Sequence, residues 1–375
     1  MNFNLKQELI RNLANIPGWH TKRKIVVIES DDWGSIRMPS REVYLTLLKK
    51  GFRVDENPFN RYDSLASEED LTALFEVLNS VKDKNNKPAI ITANTIVANP
   101  DFEKIRKSNF QDYHYEPFTE TLKRYSAHSK SFDLWKEGIN NSVFRPQFHG
   151  REHLNVIKWM KALADNTGNV RMAFDNNMFD ISSSISKTDD SFLEALNLVD
   201  PNEIHFQKQS LADGLKLFEN IFNYQSKTFI APCYIWSSKL NSTLKESGVL
   251  GIQGNWNQLE PSLTKEKRFK TIKHFTGQTN EIGQYYTTRN VHFEPSYKQN
   301  FDWISDTLFR TKTAFRWGKP AIISSHRMNF IGFIDAENRD RNLFLFARLL
   351  KEIVKNWPDV EFTSSDELFK IFKNP

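Results

Sequence analysis

Residues 24–34 read KIVVIESDDWG. Ile25 to Ile28 form an unbroken β-branched run that passes directly into Glu29, Ser30, Asp31 and Asp32. A short apolar run bounded by polar residues reads as a strand buried on both faces, the pattern of a parallel sheet. Parallel α/β sheets and barrels place their chemistry at the carboxyl ends of strands, where the two carboxylates fall. Neighbouring side chains on a strand point to opposite faces, but a loop beginning there can turn both inward. The plainer reading is a solvated turn with an Asp capping the next helix and Gly34 as punctuation. The rest of the chain decides between them.

Working outward, Leu5, Leu9, Leu13 and Ile16 predict an amphipathic helix over about 3–16, closed by Pro17-Gly18. Helices are predicted at about 40–50 and 67–82, the second opened by Ser67 with Asp70 three residues on. A strand at 89–93 completes a β-α-β unit. Further strands are expected at 143–148, 170–174, 204–206, 228–231, 251–255, 321–324 and 360–363, with helices at 155–164, 210–222, 242–247, 301–317, 342–356 and 364–372. The polar stretch 176–190 reads as a loop over the site. This alternation predicts an α/β fold, a distorted parallel (β/α)7–8 barrel spanning 1–375 as one domain. Insertions are expected at about 95–140, rich in aromatic rings, and at 260–300, irregular and basic.

The bulk numbers narrow the functional classes. The chain has 375 residues, a net charge of +5 and a single cysteine, Cys233, so no intrachain disulfide can form. Basic and acidic residues are interspersed, which argues against a nucleic-acid-binding surface. No secretory signal pattern and no membrane-spanning apolar run is visible, so a cytoplasmic location is expected.

His149 and His153 lie four apart at the end of a predicted strand, a spacing that on a helix brings both imidazoles to one ion. Most such pairs are surface coincidences; the strand-end position strengthens this one. His326 closes the apolar run IISSH; taken alone it is better read as a satisfied core histidine.

Together these elements resemble the polysaccharide deacetylase (NodB-homology) family. The resemblance rests on Asp-Asp after the first strand, His-x-x-x-His after a later one, Phe229-Ile230-Ala231-Pro232-Cys233-Tyr234, and a carboxyl-terminal strand ending in His326. It spans roughly residues 25–372. It implies a distorted (β/α) barrel, one divalent metal, zinc foremost, and an acetylated carbohydrate substrate. By position it implies Asp31 as base, Asp32, His149 and His153 as metal ligands, His326 as acid, and the Tyr234 backbone N–H as oxyanion donor. Trp33, Arg151, Trp236 and Trp256 are further candidates for contact with sugar.

Four departures stand out. Glu29-Ser30 precedes the Asp pair where Thr-Phe is usual, and Gly150 stands where Ser or Thr is common. Ile230 replaces an Arg, and Asn255-Trp256 replaces Asp-Trp. The missing Arg and Asp orient the base and the acid in that family; Arg145, Arg151, Arg289 or Arg327 could supply the charge. Two other readings compete. One is a carbohydrate-binding pseudoenzyme on the same barrel. The other is a glycosidase pairing Asp31 with Asp175 or Glu294, which explains neither His149 nor His153.

Overall fold

The computed structural model describes residues 5–182, 191–264 and 267–373. Half of the stretch read as a loop over the site, 183–190, lies outside them. The central sheet has nine strands, all paired in parallel: β1 (Lys24–Trp33), β2 (Ile91–Ile96), β3 (Phe144–Gly150), β4 (Thr228–Ile230), β5 (Gly251–Gly254), β6 (Tyr285–Thr288), β7 (Val291–His292), β8 (Ala321–His326) and β9 (Val360–Thr363). The order is β6-β5-β4-β3-β2-β1-β8-β7, with β9 beside the first half of β1. The two ends of that path are separated in sequence only by Arg289 and Asn290. The curled sheet is therefore bridged by its own chain: one extended run pairs first with β5 and then with β8.

Strand β1 supplies the reason for this arrangement. Ile25 to Ile28 are all fully buried. Val26 and Ile28 join the large core beneath the outer helices, while Ile25 and Val27 meet Ile322, Leu368 and Phe369 on the other face. The closing helix Ser365–Lys373 thus packs on the inner face, and Phe369 lies so close to Gly251 that an added Cβ there would stand 2.2 Å from its ring. Continuing the alternation carries Glu29 and Asp31 to that inner face. Asp32 breaks it, with φ 73° and a shift in the pairing with β2 between Ser30 and Trp33. Both carboxylates thereby reach the same end of the sheet.

The structure revises several expected elements. Residues 170–174 are helical (Val170–Asp175), and 204–206 lie within the helix Glu203–Phe222. The stretch 260–300 is not irregular: it holds part of a hairpin, Asn257–Pro261 with Phe269–Lys273, and strands β6 and β7. The amino-terminal helix, Leu5–Ala14, packs on the helix Trp303–Arg316 through Arg11 and Asp306, 2.8 Å apart. Among the described residues no helix is long and apolar enough to cross a membrane.

Candidate active site

The carboxyl ends of β1, β3, β4 and β8 frame a cavity of about 290 Å³, lined among others by Asp31, Asp32, Arg37, His149, His153, Tyr234 and His326. Ligand atoms of Asp32, His149 and His153 all lie within 4.8 Å of one another, and all three residues are buried. The Nε2 atoms of His149 and His153 stand 3.4 and 3.5 Å from Asp32 Oδ1. His149 is the penultimate residue of β3, and its Nδ1 donates to Ile230 O at 2.9 Å, which leaves Nε2 free to ligate. His153 follows in the loop before the helix Val156–Asp165, so the pair meets through a strand end and a turn rather than on a helical face. Burial foremost pushes the His153 imidazolium down to about 3, so the ring is neutral, as a metal ligand must be. Burial alone would raise the Asp32 carboxyl, but the imidazoles facing it, His149 by a hydrogen bond, and the Arg37 guanidinium hold it well below the usual range. Two neutral imidazoles and one carboxylate with an open side fit a divalent cation, zinc before magnesium.

Asp31 does not join that set. Arg289 donates to both of its oxygens, Nη1 to Oδ2 and Nη2 to Oδ1, each at 2.6 Å, and Asn94 Nδ2 adds a third bond at 2.7 Å. Burial favours the neutral acid here, but the Arg289 guanidinium outweighs it and holds the carboxyl at about 2. Arg289 is in turn fixed by Glu29, 2.7 Å from its Nε, and Glu29 accepts from Ser365 Oγ at 2.8 Å. The guanidinium arrives from the β6–β7 bridge, and the inner face of β1 carries the carboxylate that aims it.

His326 faces Asp31 because β8 pairs with β1 in the register Asp31↔His326. Its Nε2 is 3.9 Å from Asp31 Oδ2, and its Nδ1 bonds Glu294 Oε1 at 2.7 Å. Burial would lower the imidazolium, but Glu294 raises it to about 9. Glu294 is held by Asn329 Nδ2 at 2.7 Å. Glu294 lies two residues after β7. Glu294 entered the sequence reading only as a glycosidase carboxylate. Its position in a polar, aperiodic stretch gave no sign of a partnership with His326.

The remaining candidates divide. Cys233 and Tyr234 both adopt left-handed backbone, φ 56° and 58°, conformations that non-glycine residues hold only under constraint. The Tyr234 amide donates to Ala231 O at 3.0 Å, and its hydroxyl accepts from Arg289 Nη1 at 3.1 Å. Trp33 is drawn off the cavity: its ring is buried against Trp135 and Phe144. Trp236 is buried beside His274. Arg151 is buried against Glu152 at 2.6 Å and over the Tyr115 ring. Trp256 lines a neighbouring cavity of about 420 Å³ that shares Asn255 with the first and is also lined by Arg289. Asp175 is exposed and pairs with Arg106, outside the cavity that holds Asp31.

The chain is thus a parallel α/β barrel with an Asp-His-His cluster at the carboxyl end of its sheet. Solved structures to which it is similar include one described as a probable polysaccharide deacetylase from Pseudomonas aeruginosa PAO1, at 8% identity over 94% of this chain and 92% of that one, TM-score 0.46. A CE4 family pseudoenzyme from Bacillus anthracis matches at 9% identity over 93% and 66%, TM-score 0.38. A 4-alpha-glucanotransferase from Thermococcus litoralis matches at 8% over 92% of this chain, which spans only 40% of that enzyme, TM-score 0.46. No family model matches the sequence, and no curated protein matches it.

Proposed function

We propose that this chain is a metal-dependent hydrolase that removes acetyl groups from a carbohydrate. One observation carries the reading: a three-ligand set is flanked in a single cavity by a carboxylate kept ionised and an imidazole kept protonated. When bound, a divalent cation, zinc foremost, supplies Lewis acidity at the acetyl carbonyl and lowers the pKa of water. Asp31 accepts the proton of the attacking water, and the Arg289 clamp fixes which oxygen edge it presents. His326, charged at neutral pH, donates a proton to the departing amine or alkoxide. The Tyr234 amide can reach a developing oxyanion only by exchanging its bond to Ala231 O for one to substrate.

The competing readings lose their motive at the same residues. Loss of the usual Arg and Asp suggested a pseudoenzyme, but Arg289 and Glu294 stand on the base and the acid. A two-carboxylate glycosidase needs a protonated carboxyl. Asp31 is held ionised, Asp175 lies elsewhere, and Glu294 is bound to His326. The test is acetate release from acetylated amino sugars by the zinc-loaded chain. Chelation should abolish it, and Asp31→Asn should abolish it with zinc still bound. Full turnover after exhaustive chelation would end the reading.

A further inference from the structure

Arg37 lies in the loop after β1, four residues past the end of that strand at Trp33 and close beside the Asp-His-His cluster. Its backbone is pinned on both sides: the Ile36 amide donates to Asn99 Oδ1 at 2.8 Å and the Met38 amide to Asp63 O at 3.1 Å. Its guanidinium is clamped between the Phe59 and Phe179 rings, 5.2 and 5.6 Å from their centroids. Arg37 is only 6% exposed, and it lines the active-site cavity. The nearest carboxylate oxygens are Asp32 Oδ2 at 3.8 Å and Asp63 Oδ2 at 3.9 Å, both beyond hydrogen-bond reach. Its Nε is buried without a partner among the described residues.

Both carboxylates attract this charge, but neither accepts a hydrogen bond from it. Asp63 is already satisfied by Arg327, whose Nε and Nη2 each donate to it at 2.9 Å. Asp32 is the proposed metal ligand, and a divalent cation there would leave Arg37 as surplus positive charge beside it. His326 adds a third positive group to the same cavity. A buried guanidinium has five N–H donors and no acceptor, so leaving it unbonded is costly unless an anion completes it. The aromatic clamp holds it preorganised for that purpose.

We infer that Arg37 is a specificity-determining residue that binds an anionic oxygen group, carboxylate or phosphate, carried on the same sugar ring as the acetyl group. The inference rests on the deacetylase reading for where the acetyl group lies. Its closeness to Asp32 Oδ2 places the anion within one ring of the scissile bond.

The experiment is calorimetric binding of N-acetylglucosamine, N-acetylmuramic acid and N-acetylglucosamine 6-phosphate to the zinc-loaded full chain, wild type and Arg37→Gln, with acetate followed in the same samples. The wild type should bind at least one anionic sugar on the order of 10–100-fold more tightly than the neutral one, the worth of a charge-assisted hydrogen bond. Arg37→Gln should bring that ratio near one, and the arm that responds separates carboxylate from phosphate. No discrimination by the wild type overturns the inference, without needing the variant to fold. A ratio unchanged in Arg37→Gln, with zinc affinity reduced instead, overturns it too, because Arg37 would then serve only Asp32. An anionic preference without acetate from any sugar would support the anion site and count against deacetylation. Equal binding with acetate released would do the reverse.

Discussion

At the residue scale the site is a pair of charge relays that start from unusual positions. Arg289 keeps Asp31 ionised by two bonds of 2.6 Å, and Glu294 keeps His326 protonated through one of 2.7 Å. A carboxylate beside an imidazole favours the charged ring, so removing it must lower the imidazolium pKa from about 9. Glu294→Gln preserves the shape and removes the charge. The expected outcome is that the alkaline limb of kcat/KM moves to lower pH while the acid limb stays where it is. A pH–rate profile of the two proteins checks this; an unmoved alkaline limb would show that His326 is not the group titrating there. The same carboxylate contributes to folding with a definite sign. An imidazole raised above its unfolded value near 6.5 stabilises the fold below that pH. That contribution is lost as pH climbs through about 9.

At the element scale the decisive piece is the run from β6 to Glu294, and it is the piece least visible in the sequence. Strand β1 announced itself because four adjacent β-branched residues leave little choice. Residues 285–292, YYTTRNVH, have no apolar alternation and break at Arg289-Asn290 in the middle. Two strands of four and two residues sit below what periodicity can register. The opposite error came at 170–174, where VRMAF, apolar at four of its five positions, fits a strand and a buried helix turn equally well. Asp32, His149 and His326, proposed as two ligands and the acid, were legible because each falls at the end of a strand, and His153 by its spacing from His149. The relay residues were not, because they lie on the bridge. Asn290 holds that bridge together. Its Oδ1 accepts from the Ile322 amide at 2.9 Å and its Nδ2 donates to Pro320 O at 3.0 Å, so a side-chain amide stands in for a peptide of the sheet. Asn290→Ala should leave that amide and carbonyl without partners and cost about 1–3 kcal/mol in urea unfolding. Because Arg289 is its neighbour, kcat/KM should fall as well. Unchanged stability would mean that the break in the strand needs no latch.

At the scale of the whole molecule the proposed ligands tie together parts that fold from distant sequence. Asp32 and His149 are the penultimate residues of β1 and β3, with β2 between them in the sheet, while His153 leads into an outer helix. Without a cation this end of the sheet holds two adjacent buried carboxylates and two imidazoles facing one of them at 3.4 and 3.5 Å. A cation that binds this folded arrangement and not the unfolded chain must stabilise the fold by mass action. The gain is about 2.7 kcal/mol at a free concentration one hundred times the Kd. The thermal midpoint should therefore rise with zinc and fall back on chelation. Magnesium, which prefers an all-oxygen octahedral shell, should shift it far less. Asp32→Asn should erase the zinc-dependent shift, and His326→Ala should retain it, because His326 is proposed as the acid and lies outside the Asp-His-His cluster. A zinc shift of equal size in Asp32→Asn would place the ion elsewhere and separate the three residues from the role their geometry suggests. Measured by differential scanning calorimetry over a zinc series, the comparison needs no substrate and so tests the centre independently of the reaction proposed for it.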